Sequence, residues 1–308
     1  MSKSLTHLLV VGGNGFIGQQ IIRRAITLGW SVTSLSLALR PDKQDFAGVK
    51  YVAADITNGT ELKSALGDAC FTYVVNCGGY IDHTLYFKGG RHVLNTHFLG
   101  VLNLTEALNR EVLKSFVNIG SSDEYGNNPA PQVETQREMP ISPYATGKVA
   151  ATFFLQALHR TEGFPATTLR PFLIYGPGQN DSRFLPQIIK GCLDGKSFPT
   201  SEGRQLRDFC FIQDAVDAMF ATFSRVECRG EVINIGSGRP ISIRQMIETV
   251  QRLIGKGTPR FGEIAYRPGE NMALYADIAK AKVLIEWEPK VSLENGLVET
   301  IRWIKSQA

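Results

Sequence analysis

The sequence predicts an α/β fold, a doubly wound parallel sheet with a smaller, interleaved C-terminal lobe. Three observations predict it. Short apolar, β-branched runs alternate with helical patterns through residues 7–171, a glycine turn joins the first run to the first helix, and the alternation stops after Pro171.

The expected strands are His7 to Val11, Ser31 to Leu37, Lys50 to Ala53, Thr72 to Asn76, Phe116 to Gly120 and Ala166 to Pro171. Several are apolar throughout, as strands covered on both faces should be. Between them lie helical patterns over Phe16 to Leu28, Val93 to Arg110 and Pro143 to Thr161. Beyond Pro171 come the Gly/Pro-rich stretch Tyr175-Gly176-Pro177-Gly178 and a helix near Phe184 to Leu193. A strand-helix pair over Asp208 to Arg225, a strand Glu231 to Ile235, and helices near Ile243 to Leu253 and Leu293 to Lys305 complete the chain. The expected division is a sheet domain over 1–171, to which 209–236 returns, and a lobe built from 172–208 and 237–308.

Composition narrows the class. A chain of 308 residues with 43% hydrophobic content can bury a substantial core. Its longest apolar stretches, such as Leu8-Leu9-Val10-Val11, are far shorter than a membrane span, and Met1 to His7 lacks the apolar core of a signal peptide. A cytoplasmic protein is expected. The five cysteines, Cys70, Cys77, Cys192, Cys210 and Cys228, are odd in number and have no Cys-x-x-Cys pair, so free thiols are expected. A net charge of +4, with no Lys/Arg tract, is too mild for nucleic-acid binding. His83, His92 and His97 lack metal-ligand spacing and are read as structural or substrate-lobe residues, so no metal is expected.

The glycine turn carries the first chemical signal. In VVGGNGFIGQQ, Gly13-x-Gly15-x-x-Gly18 follows a strand and opens a helix, where backbone can approach a pyrophosphate at the positive helix end. At the head of a βαβ chain this makes the first domain a dinucleotide-binding Rossmann unit, with Gly12, Gly15, Phe16, Ile17 and Gly18 at the cofactor. The second signal is SPYATGK. Ser142 is a good N-cap and Pro143 a good first helical residue, which puts Tyr144 and Lys148 on one helix face. An ammonium beside a phenol favours phenolate, so Tyr144 is expected to exchange a proton with an alcohol or ketone near neutral pH.

A wider pattern adds to these two. Gly12 to Gly18, Asp55-Ile56, Asn76-Cys77-Gly78-Gly79, Asn95, Ser121-Ser122, Tyr144-x-x-x-Lys148, Arg170-Pro171, Tyr175-Gly176-Pro177-Gly178 and Arg207-Asp208-Phe209 occur in that order. The sequence resembles the extended short-chain dehydrogenases/reductases that act on nucleotide sugars, the NAD-dependent epimerase/dehydratase family. The resemblance implies a catalytic triad of Ser121, Tyr144 and Lys148, with Asp55 and Ile56 beside the adenine. It also implies that Cys77, Gly78, Asn95 and Pro171 border the cofactor, and that the C-terminal lobe holds a nucleotide-diphosphate sugar. Arg207 and Arg267 match positions that grip the diphosphate, a task suited to arginine's planar fork. A homodimer through Val93 to Arg110 and Pro143 to Thr161 is implied as well.

The stretch GSSDEYG, Gly120 to Gly126, bears on the reaction. Tyr125-Gly126 aligns with the Tyr-Gly that closes this strip in the family, which puts Ser121 at the catalytic Ser/Thr position, with Ser122 the fallback. Resembling 4,6-dehydratases carry an acid and a base at the next two positions, often Asp-Glu or Ser-Glu. Here Ser122 and Asp123 stand there, the latter one methylene shorter than glutamate, and both are expected at the substrate. Glu124 is left as a solvated or capping carboxylate. For NAD an acid is expected at the end of the second strand, to bond the ribose 2′-hydroxyl. The corresponding position is near Ser36, and Arg40 is close enough to pair with a 2′-phosphate, so NADP(H) is the expected cofactor and NAD(H) the alternative. The expected activity is an NADPH-dependent reductase of a nucleotide-linked 4-keto-6-deoxy sugar. The alternatives are a 4-epimerase, a 4,6-dehydratase, and a dinucleotide-binding regulator without turnover.

Overall fold

The computed structural model describes residues 6–39, 46–266 and 269–307. A seven-stranded parallel sheet forms its centre. Its strands are β1 (His7–Val11), β2 (Ser31–Ser36), β3 (Val49–Ala53), β4 (Tyr73–Asn76), β5 (Ser115–Ile119), β6 (Ala166–Pro171) and β10 (Val232–Ile235), in the spatial order β10-β6-β5-β4-β1-β2-β3. The order reverses beside β1, between β4 and β2, and this is the crevice where open α/β sheets bind ligands at their carboxyl ends.

Helices α1 (Phe16–Thr27), α2 (Gly59–Leu66), α3 (Gly90–His97), α4 (Leu99–Ala107) and α5 (Pro143–Glu162) connect the strands through β6. Helix α2 escaped the sequence-based expectations, although its signal was present: Asn58 caps it, accepting the Glu61 backbone N–H at 3.2 Å. The single helix expected over Val93 to Arg110 begins earlier and is broken. At the junction of α3 and α4 the Phe98 carbonyl accepts the N–H of both Val101 and Leu102. Ser142 caps α5 through the Ala145 N–H with Pro143 in the first turn, as its sequence dictates.

A second, smaller sheet combines β7 (Leu173–Tyr175), β9 (Leu206–Phe211), β11 (Pro240–Ser242) and β13 (Ala273–Leu274), while β8 (Ser197–Pro199) pairs with β12 (Thr258–Arg260). Helices α6 (Phe184–Leu193), α7 (Ile212–Thr222), α8 (Ile243–Ile254), α9 (Ala279–Leu284) and α10 (Leu293–Ser306) complete the chain. One core runs from Leu8, Val10 and Ile21 through Met219 to Met246 and Leu297, so the small sheet and its helices share buried apolar surface with the large one. A separate cluster around Leu9, Leu62 and Phe116 fills the other face of the large sheet. Among the described residues no helix is long and apolar enough to cross a membrane, and no group of His, Cys, Asp and Glu could hold a metal ion.

Candidate active site

A cavity of about 580 Å³ opens at the carboxyl ends of the strands. Its floor is the glycine turn. Gly12 has φ +79° and lies against β4, where a side chain would run into the Cys77 carbonyl; only glycine suits both conditions. Gly15 caps α1 without a side chain, which leaves the first-turn N–H groups of α1 toward the cavity that Gly15, Phe16, Ile17 and Gly18 line. Such a bare helix start fits a dinucleotide pyrophosphate. Ser36, at the end of β2, accepts the Asn14 backbone N–H at 3.1 Å and so stands against the same turn. Cys77, Gly78 and Pro171 also line the cavity, and burial pushes the Cys77 thiol up to about 12. Arg40 lies outside the described residues.

Not every expected cofactor residue reaches this space. Asp55 closes the loop after β3 by accepting the N–H and the hydroxyl of Thr57, both at 2.8 Å, and Ile56 is buried against Gly100; neither lines the cavity. Asn95 does not line it either. Two residues further along α3, His97 does. A single helix can turn only some of its residues toward the sheet end, and here the turned residue is His97.

The groups expected to do chemistry gather at the middle of the cavity. Ser121 caps a short helical turn after β5, where its Oγ accepts the Asp123 N–H at 3.1 Å, and it lines the cavity together with Tyr144. Tyr144 is 4% exposed and lies edge-on between His83, 5.7 Å away, and His97, 4.8 Å away, between ring centres. Lys148 is buried beneath them and donates from Nζ to the Ile119 carbonyl at 2.5 Å.

One electrostatic expectation is reversed. Lys148 was expected to favour the Tyr144 phenolate, but burial pushes the phenol well above its ordinary value, and the opposing influences are the nearby Ser121 hydroxyl and the charge of Arg183. The ammonium points instead to the Ile119 carbonyl, and its nitrogen is 5.9 Å from the Tyr144 ring centre. Tyr144 therefore holds its proton at neutral pH. Burial also brings Lys148 down to about 8, with Glu124 and Cys77 pulling the other way.

Ser122 and Asp123 line the cavity as well, and Asp123 faces His83 at 3.7 Å. Burial raises the Asp123 carboxyl, while His83, Arg207 and Arg183 oppose the rise. Arg207 does not line the cavity itself. It donates to the Leu206 carbonyl at 2.8 Å and is ion-paired with Glu270. Arg267 lies outside the described residues. Sequence reasoning missed Arg183, which borders the cavity just before α6, and the placing of His83 and His97 around Tyr144.

Burial of His97 has a pH consequence. Its folded value is pressed down to about 3, chiefly by burial, whereas an exposed histidine titrates near 6.5. Between about pH 6.5 and 3 the unfolded chain takes up a proton that the folded chain refuses, so stability falls as pH drops through this window. His97→Gln is expected to flatten that part of the stability curve, measured by denaturant melts at pH 7, 6 and 5. An unchanged dependence would mean that His97 takes up its proton alike in the folded and unfolded chains.

A parallel sheet with a glycine turn at its switch point, and Ser121, Tyr144 and Lys148 gathered in the same crevice, define a dinucleotide-dependent enzyme of the extended short-chain dehydrogenase/reductase type. The chain belongs to the NAD dependent epimerase/dehydratase family, whose model matches residues 8–236. It is 28% identical to the UDP-glucuronate 4-epimerase of Thermodesulfobacterium geofontis, over 97% of this chain and 96% of that protein. It is likewise 28% identical to a dTDP-glucose 4,6-dehydratase of Streptomyces niveus, over 97% and 93%. Among solved structures it is similar to the UDP-glucuronic acid 4-epimerase of Bacillus cereus in complex with UDP-glucuronic acid and NAD, with TM-score 0.88 and 27% identity over 98% of this chain and 100% of that one. It is also similar to the UDP-glucose 4-epimerase of Thermotoga maritima with UDP-glucose, with TM-score 0.89 and 25% identity over 98% and 99%.

Proposed function

We propose that this enzyme is an NADPH-dependent reductase of a nucleotide-diphosphate 4-keto-6-deoxy sugar. The observation that carries this is Ser36, held against the glycine turn where an enzyme selective for NAD needs a carboxylate. A serine leaves room for a 2′-phosphate, and Arg40 is the cation four residues away that would pair with it. Reduction of a ketone calls for an acid, and the Tyr144 phenol in the cavity is the group that can serve as one. A nicotinamide dinucleotide held at the glycine turn would supply the hydride for carbon C4 of the sugar. The C4 oxygen would take the Tyr144 phenol proton as the carbonyl becomes an alcohol. Ser121 donates a hydrogen bond to the same oxygen and orients the carbonyl, and Lys148 holds the ribose.

In this account residues 1–171 with 209–236 bind the cofactor, and 172–208 with 237–308 hold the nucleotide sugar. Arg207 and Arg267 grip the diphosphate, which requires Arg207 to exchange Glu270 for phosphate oxygens. Self-association would proceed through α3–α4 and α5, whose outer faces leave Leu99 and Phe153 exposed. Sedimentation at micromolar concentration should then give a dimer, and a monomer alone would refute that pairing.

A second activity, 4-epimerisation, is supported by the likeness to the three 4-epimerases; in that case this enzyme would hand the hydride back to the opposite face and keep its cofactor. The cofactor separates the two. Wild type should bind NADPH about tenfold to a hundredfold more tightly than NADH, the value of a charge-assisted contact to the 2′-phosphate. Ser36→Asp should reverse the preference, because a carboxylate accepts from the 2′-hydroxyl and repels the phosphate. Titrations followed by nicotinamide fluorescence decide between them: equal affinities in wild type, or NAD retained through purification, favour the epimerase.

A further inference from the structure

Glu124 was expected to be solvated or to cap a turn. It is fully buried, and its carboxylate does more than cap. Oε1 accepts the Ser121 backbone N–H at 2.8 Å. Oε2 accepts the Thr152 hydroxyl at 2.9 Å and the Arg170 guanidinium at 3.0 Å from Nε and 2.8 Å from NH2. Ser121 follows β5, Thr152 lies one turn beyond Lys148 on α5, and Arg170 is on β6. A single carboxylate thus ties the serine turn to the helix that carries Tyr144 and Lys148. Gly120 makes room for it, since a side chain there would collide with the Glu124 carboxylate.

Packing alone does not account for this choice. Burying an ion pair carries a desolvation cost that well-packed apolar residues of similar volume avoid, often with no loss of stability. We propose that Glu124 is a positioning residue, which sets the Ser121 hydroxyl at its distance from Tyr144 and Lys148 so that both can share one substrate oxygen. This role presupposes the proton-transfer chemistry proposed above for Ser121 and Tyr144. Glu124 also acts on Lys148 through charge. Lys148 is faced by Glu124 from the serine turn, Cys77 from the end of β4, His97 from α3 and Tyr144 from its own helix; Glu124 and Cys77 oppose the loss of its proton.

Two variants separate the mechanical and electrical parts. A glutamine can accept from some of the four donors but not all, and it carries no charge, whereas Thr152→Val removes one bond and leaves the carboxylate in place. On the 4-keto nucleotide sugar that wild type reduces, Glu124→Gln should lower kcat about tenfold to a hundredfold through misplacement of the serine, with KM and NADPH affinity within about twofold. Its alkaline limb should also move to lower pH, because Lys148 loses its proton sooner without the neighbouring charge. Thr152→Val should lower kcat by a smaller factor and leave the limb where wild type has it. A glutamate without influence on the Lys148 charge would not move the limb. Wild-type kcat and limb in Glu124→Gln would remove the positioning role and leave the proposed reaction standing, whereas a wild type inactive on every nucleotide sugar would remove both. If Glu124→Gln fails to fold, Thr152→Val decides: reduced kcat at constant KM supports the role, and wild-type kcat overturns it.

Discussion

Tyr144→Phe is expected to lower kcat by a factor of about a hundred or more, the usual contribution of a positioned general acid. NADPH affinity should change little. The reason lies in the surroundings of the phenol. Tyr144 is nearly closed to solvent and lines the cavity beside Ser121, and the rings of His83 and His97 pack on it edge-on from two sides. Phenylalanine keeps this packing and deletes only the acidic proton. Ser121 would still orient the carbonyl, so a slow residual reaction is expected. Steady-state turnover and fluorescence titration of the same preparation make the comparison. Turnover near that of wild type would take Tyr144 out of the chemistry.

Arg170→Met is expected to cost about 3–5 kcal/mol of stability, the penalty for leaving a buried charge without its partner. Arg170 is completely buried, pairs with Glu124 at 2.8 Å and Glu138 at 2.5 Å, and lies 4.8 Å above the Tyr125 ring, whose hydroxyl donates to Asn234 at 2.7 Å. Removing the guanidinium strands two carboxylates, one of them fully buried. Methionine fills much of the volume, so the loss reports charge more than cavity. Urea melts should show a lower midpoint at an unchanged slope. An unmoved midpoint would mean that water or another cation reaches Glu124 once the arginine is gone.

What the sequence revealed follows from distance along the chain. The glycine turn and the Tyr144–Lys148 pair are each contained in one element, and their spacing alone places them on one turn or one helix face. The parallel sheet was legible for the same reason, because each strand announces itself by its own apolar run. Residues brought together from different elements were not legible. His83 lies in the loop after β4, His97 on α3 and Arg183 at the start of α6, and no local pattern says that all three border one cavity. Glu124 is the clearest case. Its neighbours Asp123 and Tyr125 mark a polar turn, yet its partners Thr152 and Arg170 are 28 and 46 residues away, so its burial appears only in the fold. The Tyr144 phenol was misjudged on the same ground, since charge next door can be read from sequence and burial cannot.

Transfer of the cofactor's hydrogen to the sugar tests the central claim most directly. Wild-type protein incubated with NADPH deuterated at nicotinamide C4, on the transferred face, and a nucleotide-diphosphate 4-keto-6-deoxy sugar should yield a product carrying one deuterium at sugar C4, with stoichiometric NADP⁺. Interconversion of 4-hydroxy nucleotide sugars without net cofactor consumption and without deuterium in the product would contradict the account.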